Sequence, residues 1–197
     1  MEEPMSERRD SLKTYVSDML AVERHMLPAF ENQSADRRLD KFPEAQRLVR
    51  AIKSTIQTHI DSLEQHLQGL GNDASSPIKS AVTAALGMAA SLIENMRTDP
   101  VSKNLRDDYT VLNLAAISYT MLHTTGSALQ SEETAELALR HLKDYTPLLT
   151  RINALVPQVV VNELADETEI LDISAAERAV ARTQEAWTHD HLQSAKP

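Results

Sequence analysis

The side chains that could do chemistry here are few, and Glu23 is the most informative. Leu12, Val16, Met19, Met26 and Phe30 fall on one apolar stripe of a helix, and Glu23 falls on the same stripe. A carboxylate in a core position costs free energy unless it is paired, hydrogen-bonded or bound to a metal. Seven histidines and no cysteine complete the inventory. Cys-ligated zinc, thiolate catalysis, iron–sulfur clusters and disulfides are therefore excluded. No Gly-rich phosphate loop, HExxH or GxSxG motif occurs. The familiar chemistry of a helical bundle is a carboxylate-bridged di-metal site, which needs a Glu-x-x-His pair on each of two helices. No Glu or Asp in this chain is followed three residues later by His.

Three residues are the candidates for an unconventional metal site: Glu23, His59 and His123. Each also has a plainer reading. Glu23 lies nine residues before the expected end of its helix at Asn32. The same distance into an antiparallel second helix from Glu44 reaches Lys53 to Thr55. Glu23 is thus expected to face Thr55, with His59 roughly 6–9 Å further along. The plainer role for Glu23 is a carboxylate bonded to a hydroxyl or water, or turned towards solvent. His59 and His66 share a face but stand two turns apart, about 10 Å. That is too far to chelate one ion, and both read as boundary residues. His123 reads as a satisfied core histidine near Thr120 and Thr124, and His141 with Asp144 as a surface pair at i,i+3. The methionines read as core filler.

The elements that must position these groups are helical. The chain has 197 residues, 42% hydrophobic and 25% charged, with 4% aromatics and only 4 glycines. That suits one all-α domain with a full core. A first helix is expected from about Arg8 to Asn32, loosened by Pro28. A second starts at Pro43 and stops in the GLGND stretch at 69–73. Its seam is Val49, Ile52, Ile56, Ile60, Leu63, Leu67 and Leu70. A shorter, Ala-rich third follows from about Pro77 to Met96. The stretch from Leu105 to Leu129 is the expected axis of the bundle, with Leu112, Ala115, Tyr119, Leu122 and Gly126 on its seam. Ser131 is the expected cap of the next helix, which carries Ala135, Ala138, Leu142, Tyr145, Leu149, Ile152 and Val156. Pro147 and Pro157 should kink it, and it should fade near Leu164.

Residues 163–172 hold five acids and read as a linker. Ser174 followed by Glu177 is a capping-box pattern opening a last short helix, with Val180 and the only Trp, Trp187, on one side. Val180 and Trp187 are the candidate partner-binding residues. The expected organisation is a flexible N-terminus over 1–10, a bundle over 11–164, and an acidic linker, helix and disordered tail over 165–197.

The order of elements resembles the ferritin-like superfamily, and more closely the bacterial ferritin-like group described as stress-associated and of unsettled activity. The resemblance covers roughly Leu12 to Leu164. It rests on SDMLAVE in the first helix, SLEQHLQGLG closing the second, the small-residue third helix, AAISYTMLHTTGSAL, and ETAELALRHLKDYTPLL. It implies an antiparallel four-helix ferritin-like bundle, with the additional short helix between the second and third long ones and a C-terminal appended helix. It also implies inward Glu and His ligands on all four long helices. Only Glu23 matches. Ile52 and Thr55, and Leu112 and Ala115, stand where the others would be, so the di-iron centre is expected to be lost.

The resulting expectation is a non-catalytic binding or assembly protein, forming a homodimer and needing no cofactor. One alternative is iron or another divalent metal around Glu23. Another is a small-molecule or lipid-binding bundle walled by the third helix. The formal net charge of −9 argues against nucleic acid and against anionic membranes as partners. No apolar run reaches the roughly 20 residues of a membrane span and the first thirty residues lack a signal-peptide core, so the expected location is cytoplasmic.

Overall fold

A computed structural model describes the backbone of residues 3–71 and 100–188. The expected Ala-rich helix from Pro77 to Met96 and the C-terminal tail lie outside the described residues. Within them the fold is all-α. Five helices are described: α1 Glu3–Ser34, α2 Pro43–Gly69, α3 Val101–Ala128, α4 Glu132–Glu167 and α5 Ala175–Thr188. A 3-10 turn, Arg37–Lys41, links α1 to α2. No described helix is long and apolar enough to cross a membrane.

α1 packs along α2 and α3 along α4, and the two pairs meet through α1 against α3 and α2 against α4. Both pairs run antiparallel. Arg9 near the start of α1 donates to Leu70 O just past the end of α2, at 2.7 Å. His123 near the end of α3 bonds Ala135 O in the first turn of α4, at 2.9 Å. The shared core joins Val16, Met19, Met26 and Phe30 of α1 to the α2 seam, to Leu105, Leu112 and Leu122 of α3, and to Ile152 and Val159 of α4.

The helix ends follow local chemistry with some differences from expectation. Pro43 occupies the first turn of α2, where its missing N–H costs nothing. Gly71 takes φ 74 to end that helix. α3 begins four residues before Leu105, directly after Pro100. α1 and α4 continue through Pro28, Pro147 and Pro157, and α4 runs on to Glu167. Ser131 stands at the start of α4, but its hydroxyl bonds the Thr134 hydroxyl at 2.8 Å, not a backbone N–H. Ser174 likewise bonds Asp172 Oδ1, so the expected capping box with Glu177 does not form. α5 lies back against α4 of its own chain.

Candidate functional site

At mid-height, the four long helices each send polar side chains to one buried point. α1 supplies Glu23, α2 His59 and Ser62, α3 Tyr119, and α4 His141 and Tyr145. Glu23, His59, Tyr119 and Tyr145 are completely buried. The Tyr119 hydroxyl donates to Glu23 Oε1 at 2.6 Å and the Tyr145 hydroxyl to Oε2 at 2.5 Å. His59 Nδ1 stands 3.1 Å from Oε1. Three donors therefore converge on one carboxylate, the condition for keeping such a group in a core.

The network continues beyond Glu23. The Tyr119 hydrogen goes to Glu23, so its oxygen accepts from His141 Nδ1–H at 2.9 Å. His141 Nε2 lies 2.7 Å from the Ser62 hydroxyl, which also reaches the His59 carbonyl at 3.1 Å. Burial, then the neighbouring His59 and Arg140, pulls the His141 imidazole down to about 3, so it is neutral. Its ring stacks on His59 with centroids 3.9 Å apart and planes 10° apart. Burial and then the Glu23 charge push both phenols well above their ordinary range, and both stay protonated donors. His59 Nε2 lies 3.3 Å from Oδ2 of Asp144, whose side chain is 58% exposed. His59 thus stands between the buried Glu23 carboxylate and the exposed Asp144.

A family model described as "Domain of unknown function (DUF892)" matches residues 7–165. The chain belongs to this family. The matched span holds α1 to α4 almost entire, with every member of the Glu23 network, and ends before α5. Comparison with curated proteins and comparison with solved structures each gave no significant match.

In this DUF892 chain the three metal candidates do not meet as one group. Glu23 and His59 are in contact, whereas His123 bonds the Ala135 carbonyl. The expectation that Glu23 faces Thr55 is overturned, because that count assumed helix ends level with each other. Glu23 lies 11 residues before the end of α1, and His59 lies 16 residues after the start of α2. α2 therefore overhangs α1 by about 7 Å, which carries His59 back to the level of Glu23.

His59 and His66 are core residues, not boundary residues, at 0% and 6% exposure. His66 Nε2 bonds the buried Thr134 hydroxyl at 2.8 Å. His141 is not a surface residue, and Asp144 pairs with His59 instead. As seam members Tyr119 and Tyr145 read as apolar, which leaves out the hydroxyls that bond Glu23. The available signal was the polar tips at seam positions, with His141 and Tyr145 one turn apart on one face.

Val180 is half-buried on α5 and lines an open groove of about 720 Å³ with Tyr109, Leu149, Asn153 and Ala154. The Trp187 side chain lies outside the described residues. Among the described residues no group of three or more His, Cys, Asp or Glu is placed to hold a metal ion.

Proposed function

We propose that this chain is a ferritin-like bundle that acts by binding or assembly, with the Glu23 network as an internal brace where a catalytic centre would stand. The observation that carries this is the occupancy of Glu23. Both its oxygens accept short phenolic hydrogen bonds, and His59 adds a third donor. Such a carboxylate is stabilised by protein donors alone. The donor set does not fit a carboxylate-bridged pair of ions. Such a centre takes a carboxylate from each of four helices, and here only Glu23 occupies the middle, with Asp144 reaching no further than His59. The network ties all four helices to one axial register. That leaves the surfaces, including the groove that Val180 of α5 lines, for a second copy of the chain or another protein.

The test is elemental analysis of untagged protein, repeated after incubation with Fe²⁺, Mn²⁺ and Zn²⁺. Less than a tenth of an equivalent of metal (order of magnitude), in protein as purified and after incubation, supports the proposal. Near-stoichiometric metal that disappears in Glu23→Ala would overturn it. Sedimentation equilibrium tests assembly, the expectation being a homodimer that Val180→Glu weakens.

A second reading has one observation in its favour: the His59 imidazole and two phenols, each within hydrogen-bond distance of the one Glu23 carboxylate, suit a single ferric ion. A visible phenolate-to-iron charge-transfer band on aerobic Fe²⁺ addition, absent in Tyr145→Phe, would select it. The lipid-binding alternative rested on the Pro77–Met96 segment, which lies outside the described residues.

A further inference from the structure

The hairpin of α4 and α5 carries two features that the Glu23 network does not use, an exposed apolar pair and an open apolar groove. Leu171 and Ile173 stand in the turn between the two helices at 94% and 91% exposure. The other exposed large hydrophobics among the described residues lie between 37% and 57%. Single exposed aliphatics are ordinary, but two almost fully solvated ones two residues apart mark a contact surface. Of the acids around them, Asp166 pairs with Lys41 and Asp172 with Arg178. Glu167 and Glu169 are exposed and take no partner among the described residues. The turn is therefore an apolar peg with a negative collar.

The groove lies further along the hairpin, between Tyr109 of α3, Leu149 and Ala154 of α4 and Val180 of α5. Its volume of about 720 Å³ is ample for two aliphatic side chains. Arg182 stands on its rim, exposed and without an ion pair among the described residues, while Glu185 on the same rim has a partner of its own. Peg and groove thus match in polarity and are opposite in charge. The peg does not serve the groove of its own chain. Asp172 holds Ser174 and Arg178, which fixes the turn with its aliphatic side chains in solvent. Val180 lies about 10 Å further along, by residue count from Ile173. A second copy supplies both halves at once. A two-fold axis across α5 sets each peg against the other copy's groove, so that one contact is made twice and the assembly closes. A foreign partner would need an acidic apolar peg and a basic-edged apolar groove at the same spacing.

We propose that two copies of this chain pair through their hairpins of α4 and α5, with Leu171 and Ile173 of each entering the groove of the other. This rests on the assembly reading above and commits it to one partner and one face. The peg and α5 both lie beyond the family match, which ends at residue 165.

The experiment is sedimentation equilibrium on the full-length protein, on two variants and on their mixture. Wild type should dimerise with a Kd on the order of 10 µM, since two small contacts make an interface at the low end of the size range. The doubly substituted Leu171→Asp, Ile173→Asp loses both pegs. Ala154→Glu, at an exposed helical position, puts a like charge into both grooves, and Thr150→Glu takes its place if that variant fails to fold. Each variant alone should associate at least about a hundredfold more weakly with an unchanged Tm. An equimolar mixture of the two should recover to within about tenfold of wild type, because one intact peg then meets one intact groove and half of the lost contact returns. A wild type that stays monomeric to about 1 mM, a hundredfold above that Kd, would overturn the proposal and leave the groove to another protein. A mixture no stronger than its components would also overturn it. Dimers that keep wild-type affinity in both variants would overturn this pairing while the assembly reading stands, whereas stoichiometric metal lost in Glu23→Ala bears on that reading alone.

Discussion

Tyr145 of α4 donates its phenolic hydrogen to Glu23 of α1 across 2.5 Å, in a core where neither residue reaches solvent. The pair makes the buried carboxylate tolerable, and it connects helices that are not paired in a hairpin. Tyr145→Phe removes the donor and leaves Glu23 Oε2 buried without a partner. The expected loss is about 1.5–3 kcal/mol, the range for hydrogen bonds to charged groups. In Glu23→Leu the same Tyr145→Phe change should cost much less, because no charge remains to be satisfied. Urea unfolding of the two single variants and the double variant measures the difference. Additive losses would show that the two residues do not act as a unit.

His141 sets the expected acid limb of stability. Its folded-state value is held down to about 3, against an ordinary 6.5. Below 6.5 the unfolded chain takes up a proton that the folded chain refuses, so stability falls as pH drops from about 6.5 towards 3. Above 6.5 both states are neutral at this residue and it adds no slope. His141→Gln should flatten this limb, whatever its effect at neutral pH. Unfolding free energies at a series of pH values for both proteins decide the matter, and equal slopes would remove His141 from the account.

Gly126 of α3 sits close against the first turn of α4. A Cβ there would lie 2.6 Å from the Ala135 backbone nitrogen and 3.0 Å from its Cα. Both are backbone atoms and cannot swing aside. Gly126→Ala should destabilise by about 1–3 kcal/mol through overpacking, despite the better helix propensity of Ala. Thermal unfolding gives the sign, and a stabilised variant would mean the turn can open without cost.

The turn that follows carries its own strain. Gln130 has φ 57, the left-handed region that glycine adopts freely, while Ser131 N–H donates to Gly126 O at 2.8 Å. Gln130→Gly should therefore stabilise by about 0.5–1 kcal/mol, the left-handed penalty less the added chain entropy. A fall in Tm would show that the Gln130 side chain contributes more than its backbone conformation costs.

Residues 72–99 aside, the helices were legible because their seams are. Val49 to Leu67 repeats at three and four residues, and nothing but an amphipathic helix buries that pattern. Glu23 was legible as a buried carboxylate for the same reason, since Met19 and Met26 on either side fix the face it occupies. Burial of Tyr119 and Tyr145 could also be read, but not the use made of their hydroxyls. Periodicity reports which face a residue takes and is silent about its height along the bundle. The partner of Glu23 depends on that height.

The height was decided by the tertiary structure. The 3-10 turn at Arg37–Lys41 lets α2 start beyond the end of α1, and that offset brings His59, not Thr55, level with Glu23. The packing of α2 on α4 then stacks His59 on His141 and turns Asp144 away from its own helix neighbour. By itself the sequence determined an all-α chain with one carboxylate committed to the core. The contacts that satisfy this carboxylate come from residues 36, 96 and 122 positions away. Contacts at such separations depend on the axial stagger of whole helices, a rigid-body quantity that no local pattern of residues encodes.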